Sequence, residues 1–243
     1  MKPQYLFLLS LVIACQKPKS ESQIVGVHSE NKVENAIPAK EKFLKTDTIT
    51  ISDEEEISAN SYILAHLISQ KADKDSIITG NYQLDFYQNK TKTVSSKISI
   101  KGIEKGSEWG ASFGLTSATA KNSPFVHLSF GYPACGYSQN NYLYYLKNKN
   151  IQLVHEWSSM SDSGWGGWVE FGNPSAKTDP DSFYCKTVFF EPDDNDENMG
   201  TVKYSDSTIF RLIGNQWKKQ LLTKENQTYF EKKMSFDEFH SQK

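Results

Sequence analysis

The sequence predicts a mainly β protein, built as an antiparallel β-sandwich or a barrel-like sheet. Aromatic residues make up 13% of the 243 residues, and large rings favour the pleated, half-buried surface of a sheet. Much of the chain also alternates apolar and polar side chains with a period of two, in short segments separated by turn residues. A small propeller-like β array is the alternative, because several hairpins place aromatic residues on both sides of a Gly or Asn turn.

The first predicted element is one short helix within residues 54–71. Ser52 and Glu55 have the spacing of a capping box, in which each side chain satisfies a backbone N–H at a helix start. Four apolar residues follow at intervals close to helical spacing, namely Ile57, Leu64, Leu67 and Ile68. The pattern therefore indicates a helix before the strands begin.

From residue 82 onward, the pattern predicts strands and hairpins. Single strands are expected at 125–130, 168–171, 183–190 and 202–204. Three hairpins are expected, pairing 82–86 with 98–100, 142–146 with 151–157, and 208–213 with 216–222. Ser235 and Glu238 repeat the capping pattern, which predicts a short C-terminal helix.

The first fifteen residues carry the most specific signal in the chain. Lys2 is followed by the apolar run 5–14, which is too short to span a bilayer. A charged start, a short apolar stretch and a small residue before the cleavage point are typical of a secretory signal peptide. The sequence Val12, Ile13, Ala14, Cys15 resembles the lipobox of bacterial lipoproteins, in which the chain is cut before the cysteine and the cysteine is acylated.

This resemblance covers the signal region only and implies nothing about the folded body. Taken together with the composition of the segments that follow, it predicts a division of the chain into three parts. Residues 1–14 are the signal peptide, 15–42 are a flexible tether that starts at the lipidated Cys15, and 43–243 are a single mainly β domain. The tether is rich in Lys, Glu, Ser, Gln and Asn, which suits an extended segment. The resemblance also implies a lipid-anchored protein of the bacterial cell envelope, extracytoplasmic and either periplasmic or at the outer membrane.

The overall charge excludes one class of partner. The chain has 27 Lys and Arg against 29 Asp and Glu, which gives a formal net charge of -2. A protein that neutralises a phosphate backbone needs a basic excess. We therefore expect no nucleic-acid partner, and we expect the membrane, a glycan or an envelope protein instead.

Two cysteines remain after Cys15 is assigned to lipid. Cys135 and Cys185 form an even pair, and an even pair in an oxidising compartment predicts a disulfide. Such a bridge would fasten the loop 132–137 to the strand that starts near residue 183. The alternative is two buried free thiols.

Five aromatic residues are candidates for ligand binding. They lie near glycines or on the loop around Cys135, and they are Tyr132, Tyr137, Trp157, Trp165 and Trp168. Exposed rings on such loops stack against a sugar or grip a peptide. The alternative is that these rings pack in the core, where Trp is usually found.

An acidic run near residue 193 is the candidate metal site. Four of its residues supply hard oxygen ligands that suit Ca²⁺, namely Asp193, Asp194, Asp196 and Asn198, and the run contains no basic residue. The EF-hand pattern fails, because Met199 stands where the glycine belongs and Ser205 where the final Glu belongs. The alternative is a solvated charged turn.

The usual catalytic motifs are absent from the sequence. It contains no G-x-S-x-G, no H-E-x-x-H and no glycine-rich phosphate loop. His66, His127 and His155 are expected to be surface or structural residues. The favoured function is therefore a binding or accessory role that needs no cofactor apart from a possible Ca²⁺. The alternative is an extracytoplasmic hydrolase, which would need a deep pocket that holds at least two of His127, His155, Glu156 and nearby carboxylates within hydrogen-bond reach.

Overall fold

In the computed structural model, which describes residues 42–53 and 56–241, thirteen β-strands form one hydrogen-bonded sheet. A short 3-10 helix at Ser117–Thr119 and an α-helix, α1 (Phe236–Ser241), accompany the strands. The strands are β1 (Lys45–Asp53), β2 (Glu56–Ala72), β3 (Ile78–Gln88), β4 (Thr91–Lys101), β5 (Glu108–Phe113), β6 (Phe125–Gly131), β7 (Ser138–Lys147), β8 (Asn150–Asp162), β9 (Trp165–Gly172), β10 (Ser182–Asp193), β11 (Asp196–Ile213), β12 (Gln216–Leu221) and β13 (Phe230–Ser235). The predicted mainly β fold is confirmed.

The sheet follows chain order with one exception. Its strands lie in the order β12-β11-β10-β9-β8-β7-β6-β5-β1-β2-β3-β4, and β1 pairs with β5 in parallel at Ser52 and Ser112. The other pairings among the described strands run antiparallel, as expected for strands joined by short turns. Long strand β11 pairs with β13 through residues 199–204 and with β12 through residues 208–213.

Within the described residues this sheet is open rather than a closed barrel. It is also one sheet, whereas a sandwich has two and a propeller has separate four-stranded blades. None of the helices in this part of the chain has the length and apolar character needed to cross a membrane.

The predicted helix within 54–71 is wrong, because strand β2 occupies residues 56–72. Ile63, Ala65 and Leu67 alternate into the core, and β2 is paired on both sides, with β1 and with β3. The register with β3 shifts between Leu67 and Ser69, so Ile68 lies in a bulge. This extra residue places two apolar side chains next to each other and imitates helical spacing.

Strands β6 and β7 separate two apolar cores. Tyr142, Tyr144 and Leu146 point into the first core, with residues of β1 to β4 and β6. Leu143 and Tyr145 point into the second core, with residues of β10 to β12. Alternate side chains of a strand point to opposite faces, so a strand covered on both faces must be apolar at successive positions.

A third apolar cluster lies under the C-terminal helix. It consists of Val188, Phe190, Val202, Met234 and Phe239. The Phe239 ring stacks on Phe190 with 4.2 Å between ring centroids. The predicted cap of this helix is confirmed, since the Glu238 backbone N–H donates to Ser235 Oγ at 3.0 Å.

The three predicted hairpins are confirmed as β3–β4, β7–β8 and β11–β12. Asn148 and Lys149 both have positive φ, at 53° and 60°, in the turn between β7 and β8. Two successive positive φ values define the type I′ turn, whose twist matches that of the flanking strands. The predicted single strands lie within β6, β9, β10 and β11.

Candidate functional site

A cleft with a volume of about 340 Å³ lies beside the β8–β9 hairpin. Its wall includes side chains from the β6–β7 loop, three strands and helix α1, among them Tyr137, Gln139, Ser159, Ser161, Trp168 and His240. Small-molecule sites have volumes of roughly 300 to 1,000 Å³ and combine rings with a few polar groups. The volume of this cleft lies at the lower end of that range.

The β8–β9 hairpin needs glycine to build this cleft. Gly166 has a φ of 137°, and a Cβ at this position would lie 2.1 Å from the Met160 carbonyl oxygen. At Gly167 a Cβ would lie 2.7 Å from the Phe189 ring. Gly166 and Gly167 are therefore required because the backbone of Met160 and the ring of Phe189 leave no room for a Cβ atom.

The loop 132–137 is held by hydrogen bonds. Gly136 N–H donates to the Ser161 carbonyl oxygen at 2.9 Å, which ties the loop to β8. The Gln139 side chain donates from Nε2 to the Tyr132 carbonyl oxygen at 2.6 Å. The Tyr132 and Tyr137 rings lie 4.7 Å apart, and Tyr137 remains 40% exposed at the cleft. Tyr132 therefore packs against the Tyr137 ring, which lines the cleft.

The predicted disulfide is wrong, because both Cys135 and Cys185 are free thiols in the structure. Cys135 is exposed on the β6–β7 loop, whereas Cys185 is buried in β10 within the second core. Burial raises the pKa of the Cys185 thiol to about 11. One hydrogen bond to β8 and one from Gln139 of β7 hold the loop in place without a covalent link.

Two of the candidate aromatic residues pack in the protein interior. Trp157 stacks between His127 and His155, with 5.0 and 5.3 Å between ring centroids, and packs against the second core. Trp165 stacks on Phe190 at 4.3 Å in the cluster under α1. Trp168 is also partly buried against that cluster, 5.9 Å from the Phe239 ring, and it lines the cleft together with Tyr137.

His127 and His155 are partly buried on either side of Trp157, and their burial favours the neutral imidazole. Burial lowers the pKa of His155 to about 4, with a smaller contribution from the nearby positive charge of Lys219. Burial also lowers the pKa of His127, although its hydrogen bond with Asn141 Oδ1 at 3.0 Å opposes the shift. Neither histidine forms a hydrogen bond with a carboxylate within residues 42–53 and 56–241. This is not the acid–base pair that the hydrolase alternative needs.

The third histidine, His66, belongs to a polar network on the first four strands. His66 Nδ1 lies 2.8 Å from Thr46 Oγ1, and Nε2 lies 3.4 Å from Asp85 Oδ2. Burial would raise the pKa of Asp85, but hydrogen bonds outweigh it and hold this pKa below its usual range. The donors are Lys92 at 2.6 Å, Ser95 at 2.8 Å and Gln83 at 3.0 Å. With its partners satisfied, this network is structural.

The acidic run forms the β10–β11 turn and is partly neutralised. The Asp193 carboxylate pairs with Lys233 of β13, and this hydrogen bond holds the pKa of Asp193 below its usual range. Asp193 and Asp196 also accept backbone N–H bonds, at 2.9 Å from Asn195 and 3.0 Å from Asn198. In the part of the chain that the structure describes, no three His, Cys, Asp or Glu side chains converge as a metal site.

Sequence reasoning missed His240, which helix α1 brings to the cleft. Its Nε2 atom is buried and has no hydrogen-bond partner among the described residues. Gly164 makes room for it, since a Cβ there would lie 3.0 Å from His240 Nε2. The signal that could have found His240 is the capping pattern at Ser235, which places this residue on a C-terminal helix.

Comparisons with known proteins add no family to this description. No protein-family model, no curated protein and no solved structure matches the chain. The fold and the site therefore define the class: a mainly β protein with a small cleft lined by aromatic and uncharged polar side chains.

Proposed function

We propose that this protein binds a small ligand in the cleft beside the β8–β9 hairpin. The observation that carries the proposal is the convergence of Tyr137 and Trp168 with the polar side chains of Gln139, Ser159 and Ser161. Rings supply apolar contact area, and a few hydroxyl and amide groups fix the orientation of a ligand. This combination supports a binding or accessory role in which a glycan, a peptide or a protein segment is the partner.

The composition of the wall favours binding over hydrolysis. The described residues that line the cleft include no Asp, Glu, Lys or Cys. General acid–base hydrolysis needs a positioned acid and base within hydrogen-bond reach of the substrate. His240 has no carboxylate partner of this kind among the described residues.

We also propose that the protein is anchored by lipid on Cys15 at the extracytoplasmic side of a bacterial membrane, in the periplasm or at the outer membrane. The support is the lipobox-like sequence 12–15, which, with residues 1–41 as a whole, lies outside the described residues. Each buried acyl methylene contributes about 0.8 kcal/mol to membrane attachment. The calcium hypothesis for the acidic turn stands beside this as a separate proposal.

Acyl labelling tests the anchor. In cells fed a labelled fatty acid, the wild-type chain should carry the label and Cys15→Ser should not, while Cys135→Ser should behave as wild type. A membrane-bound Cys15→Ser product with the wild-type mass would contradict the anchor.

Ligand-observed NMR tests the cleft. The mature chain is mixed with maltohexaose, cellohexaose and uncharged hexapeptides, and hits are measured by calorimetry. Tyr137→Ala should weaken binding tenfold or more, because it removes a ring from the cleft. Tyr184→Ala is the matched control, since Tyr184 is also exposed, at 39%, but does not line the cleft. Failure of every probe to bind, or equal losses in both variants, would overturn the proposal.

A further inference from the structure

Several polar groups of the cleft wall are committed to partners within the protein. Gln139 Nε2 donates to the Tyr132 carbonyl oxygen at 2.6 Å, and Oε1 packs on Gly131, where a Cβ would lie 2.5 Å away. Trp168 Nε1 donates to Glu170 Oε1 at 3.2 Å. These bonds fix the wall of the cleft, and they leave its hydroxyl groups as the least committed polar groups.

Asn141, which lies next to this wall, has a side-chain amide with a single consistent orientation. Asn141 is 5% exposed, and its Nδ2 atom lies 3.1 Å from the Gln139 carbonyl oxygen, which only accepts hydrogen bonds. The amide nitrogen must therefore point towards this carbonyl, and Oδ1 then lies 3.0 Å from His127 Nε2. His127 donates from Nε2 as a consequence, and it holds the amide from the other side.

This orientation of Asn141 decides how Ser159, which lines the cleft, forms hydrogen bonds. Asn141 Nδ2 donates to Ser159 Oγ at 2.9 Å, so Oγ is the acceptor of that bond. The Ser159 hydroxyl proton must then point in another direction, and the hydrogen bonds within residues 42–53 and 56–241 give it no acceptor. Because Ser159 is only half-buried, this proton is available to a ligand in the cleft.

The other candidate groups of the wall are not oriented in this way. Ser161 and Tyr137 are exposed, and their hydroxyls form no hydrogen bond within the described part of the chain, so each can donate or accept. The His240 Nε2 atom is buried and presents no surface to a ligand. Ser159 is therefore the hydroxyl of the described wall whose bonding direction the protein sets.

We infer that Ser159 is a specificity-determining donor of the cleft, and that the ligand places a hydrogen-bond acceptor, such as a carbonyl oxygen, against Ser159 Oγ. Asn141 is the positioning residue that turns this hydroxyl towards the ligand. An apolar or donor atom at the same place would leave the Ser159 proton without a partner in the occupied cleft. The inference rests on the proposed binding function, and it adds one requirement that the ligand must meet.

The test uses two probes of the same shape on the mature full-length chain. Acetophenone carries a carbonyl acceptor beside an aromatic ring, and α-methylstyrene replaces that carbonyl oxygen with a CH₂ group. NMR titration follows the signals of Tyr137 and Trp168, which line the cleft. We expect Ser159→Ala to weaken acetophenone binding about threefold to tenfold, the usual value of one neutral hydrogen bond, and to leave α-methylstyrene binding unchanged.

Ser158→Ala is the matched control, because Ser158 is exposed on the same strand and does not line the cleft. It should change the affinity for neither probe. Acetophenone affinity that is unchanged in Ser159→Ala, or equal losses for both probes, would overturn the inference and leave the proposed function standing. Failure of both probes to bind would also overturn the inference, whereas the proposed function falls only if the hexasaccharides and hexapeptides fail as well.

The positioning role of Asn141 is tested on the unaltered protein, because a variant at this buried residue need not fold. When Ser159 donates to a ligand, its oxygen becomes a better acceptor, and the bond from Asn141 strengthens. The side-chain amide proton of Asn141 that bonds to Ser159 should therefore shift with acetophenone and stay in place with α-methylstyrene. An Asn141 signal that stays constant while acetophenone binds would overturn the positioning role.

Discussion

The Gln152 side chain forms two hydrogen bonds with the backbone of Trp217. Gln152 Nε2 donates to the Trp217 carbonyl oxygen at 2.9 Å, and Trp217 N–H donates to Gln152 Oε1 at 2.8 Å. Because β12 ends the sheet, this amide stands in for a neighbouring strand and joins β12 to β8. It therefore holds Trp217, which is 4% exposed, against the second core.

Removal of this amide should destabilise the protein. Gln152→Leu leaves the N–H and carbonyl groups of Trp217 without partners, and we expect a loss of about 2 to 4 kcal/mol in the free energy of unfolding. Urea unfolding measures the change. Gln220→Leu is the control, because its bond to Arg211 is exposed, and it should change stability by less than about 0.5 kcal/mol. Equal effects would contradict the bridging role of Gln152.

Gly166→Ala should distort the β8–β9 hairpin. The new Cβ would lie 2.1 Å from the Met160 carbonyl oxygen, and φ is 137° at this position. We expect a loss of about 3 kcal/mol or more, together with weaker ligand binding in the cleft. Gly102→Ala is the matched control. Its φ is also positive, at 80°, but nothing lies within 4 Å, so we expect about 1 to 2 kcal/mol from backbone strain. Similar melting temperatures for the two variants would argue against the steric cause.

Mild acid should destabilise the protein through His155. Its pKa is about 4 in the folded protein and about 6.5 when unfolded, so the unfolded chain binds the proton more tightly. Stability is therefore complete above the unfolded pKa and is lost as pH falls from about 6.5 towards 4. The loss at pH 5 should be about 2 kcal/mol for this group.

His155→Phe isolates this contribution. Urea unfolding of both proteins at pH 8 and pH 5 gives the two pH dependences, and the variant should lose less stability than wild type by the same amount. A pH dependence that is unchanged in the variant would assign the acid sensitivity to other groups, such as His127.

Cys135 and Cys185 should react with a thiol reagent at very different rates. Cys135 is exposed, whereas Cys185 is buried and has a pKa raised to about 11. A maleimide should label Cys135 in the folded protein and Cys185 only after unfolding, because the thiolate is the reactive form. A Cys15→Ser background removes the third cysteine, the proposed lipidation site. A denatured, unreduced chain that shows no free thiol would restore the disulfide.

Calcium at the β10–β11 turn, as proposed above, would compete with an ion pair. Lys233 occupies the Asp193 carboxylate, so we expect Ca²⁺ to raise the melting temperature of Lys233→Ala more than that of wild type. Calcium at one hundred times its dissociation constant would add about 2.7 kcal/mol. The control adds Asp194→Ala and Asp196→Ala to Lys233→Ala. Identical melting of Lys233→Ala with calcium and with chelator would show that the turn is only solvated.

The hairpins could be predicted because their signals are local. In β7 and β8 the turn residues Asn148 and Lys149 adopt positive φ, and the flanking segments pair with their immediate neighbours in sequence. Strand β2 could not be predicted from local signals. Ile68 lies in a bulge, and the partners of β2 lie in two other strands, as in the pairing of His66 with Thr46 and with Gln83.

The residues of the candidate site could likewise be predicted only in part. Sequence reasoning identified Tyr137 and Trp168 as candidates, because exposed rings near glycines are typical of binding loops. Sequence reasoning could not distinguish these two residues from Trp157 and Trp165, because a Tyr or Trp near a glycine can lie either in a core or at the surface. The pairing of Cys135 with Cys185 came from an even count, and a count carries no information about distance.

The sequence by itself determined the β class, the hairpins and the C-terminal cap, because turn chemistry and side-chain alternation act between near neighbours. Only the tertiary structure decided which side of each strand is covered, that Lys233 neutralises Asp193, and that His240 reaches the cleft. These outcomes depend on packing between segments far apart in the chain. His240 lies more than seventy residues from Ser161, and no local pattern records which distant strand a short helix will cover.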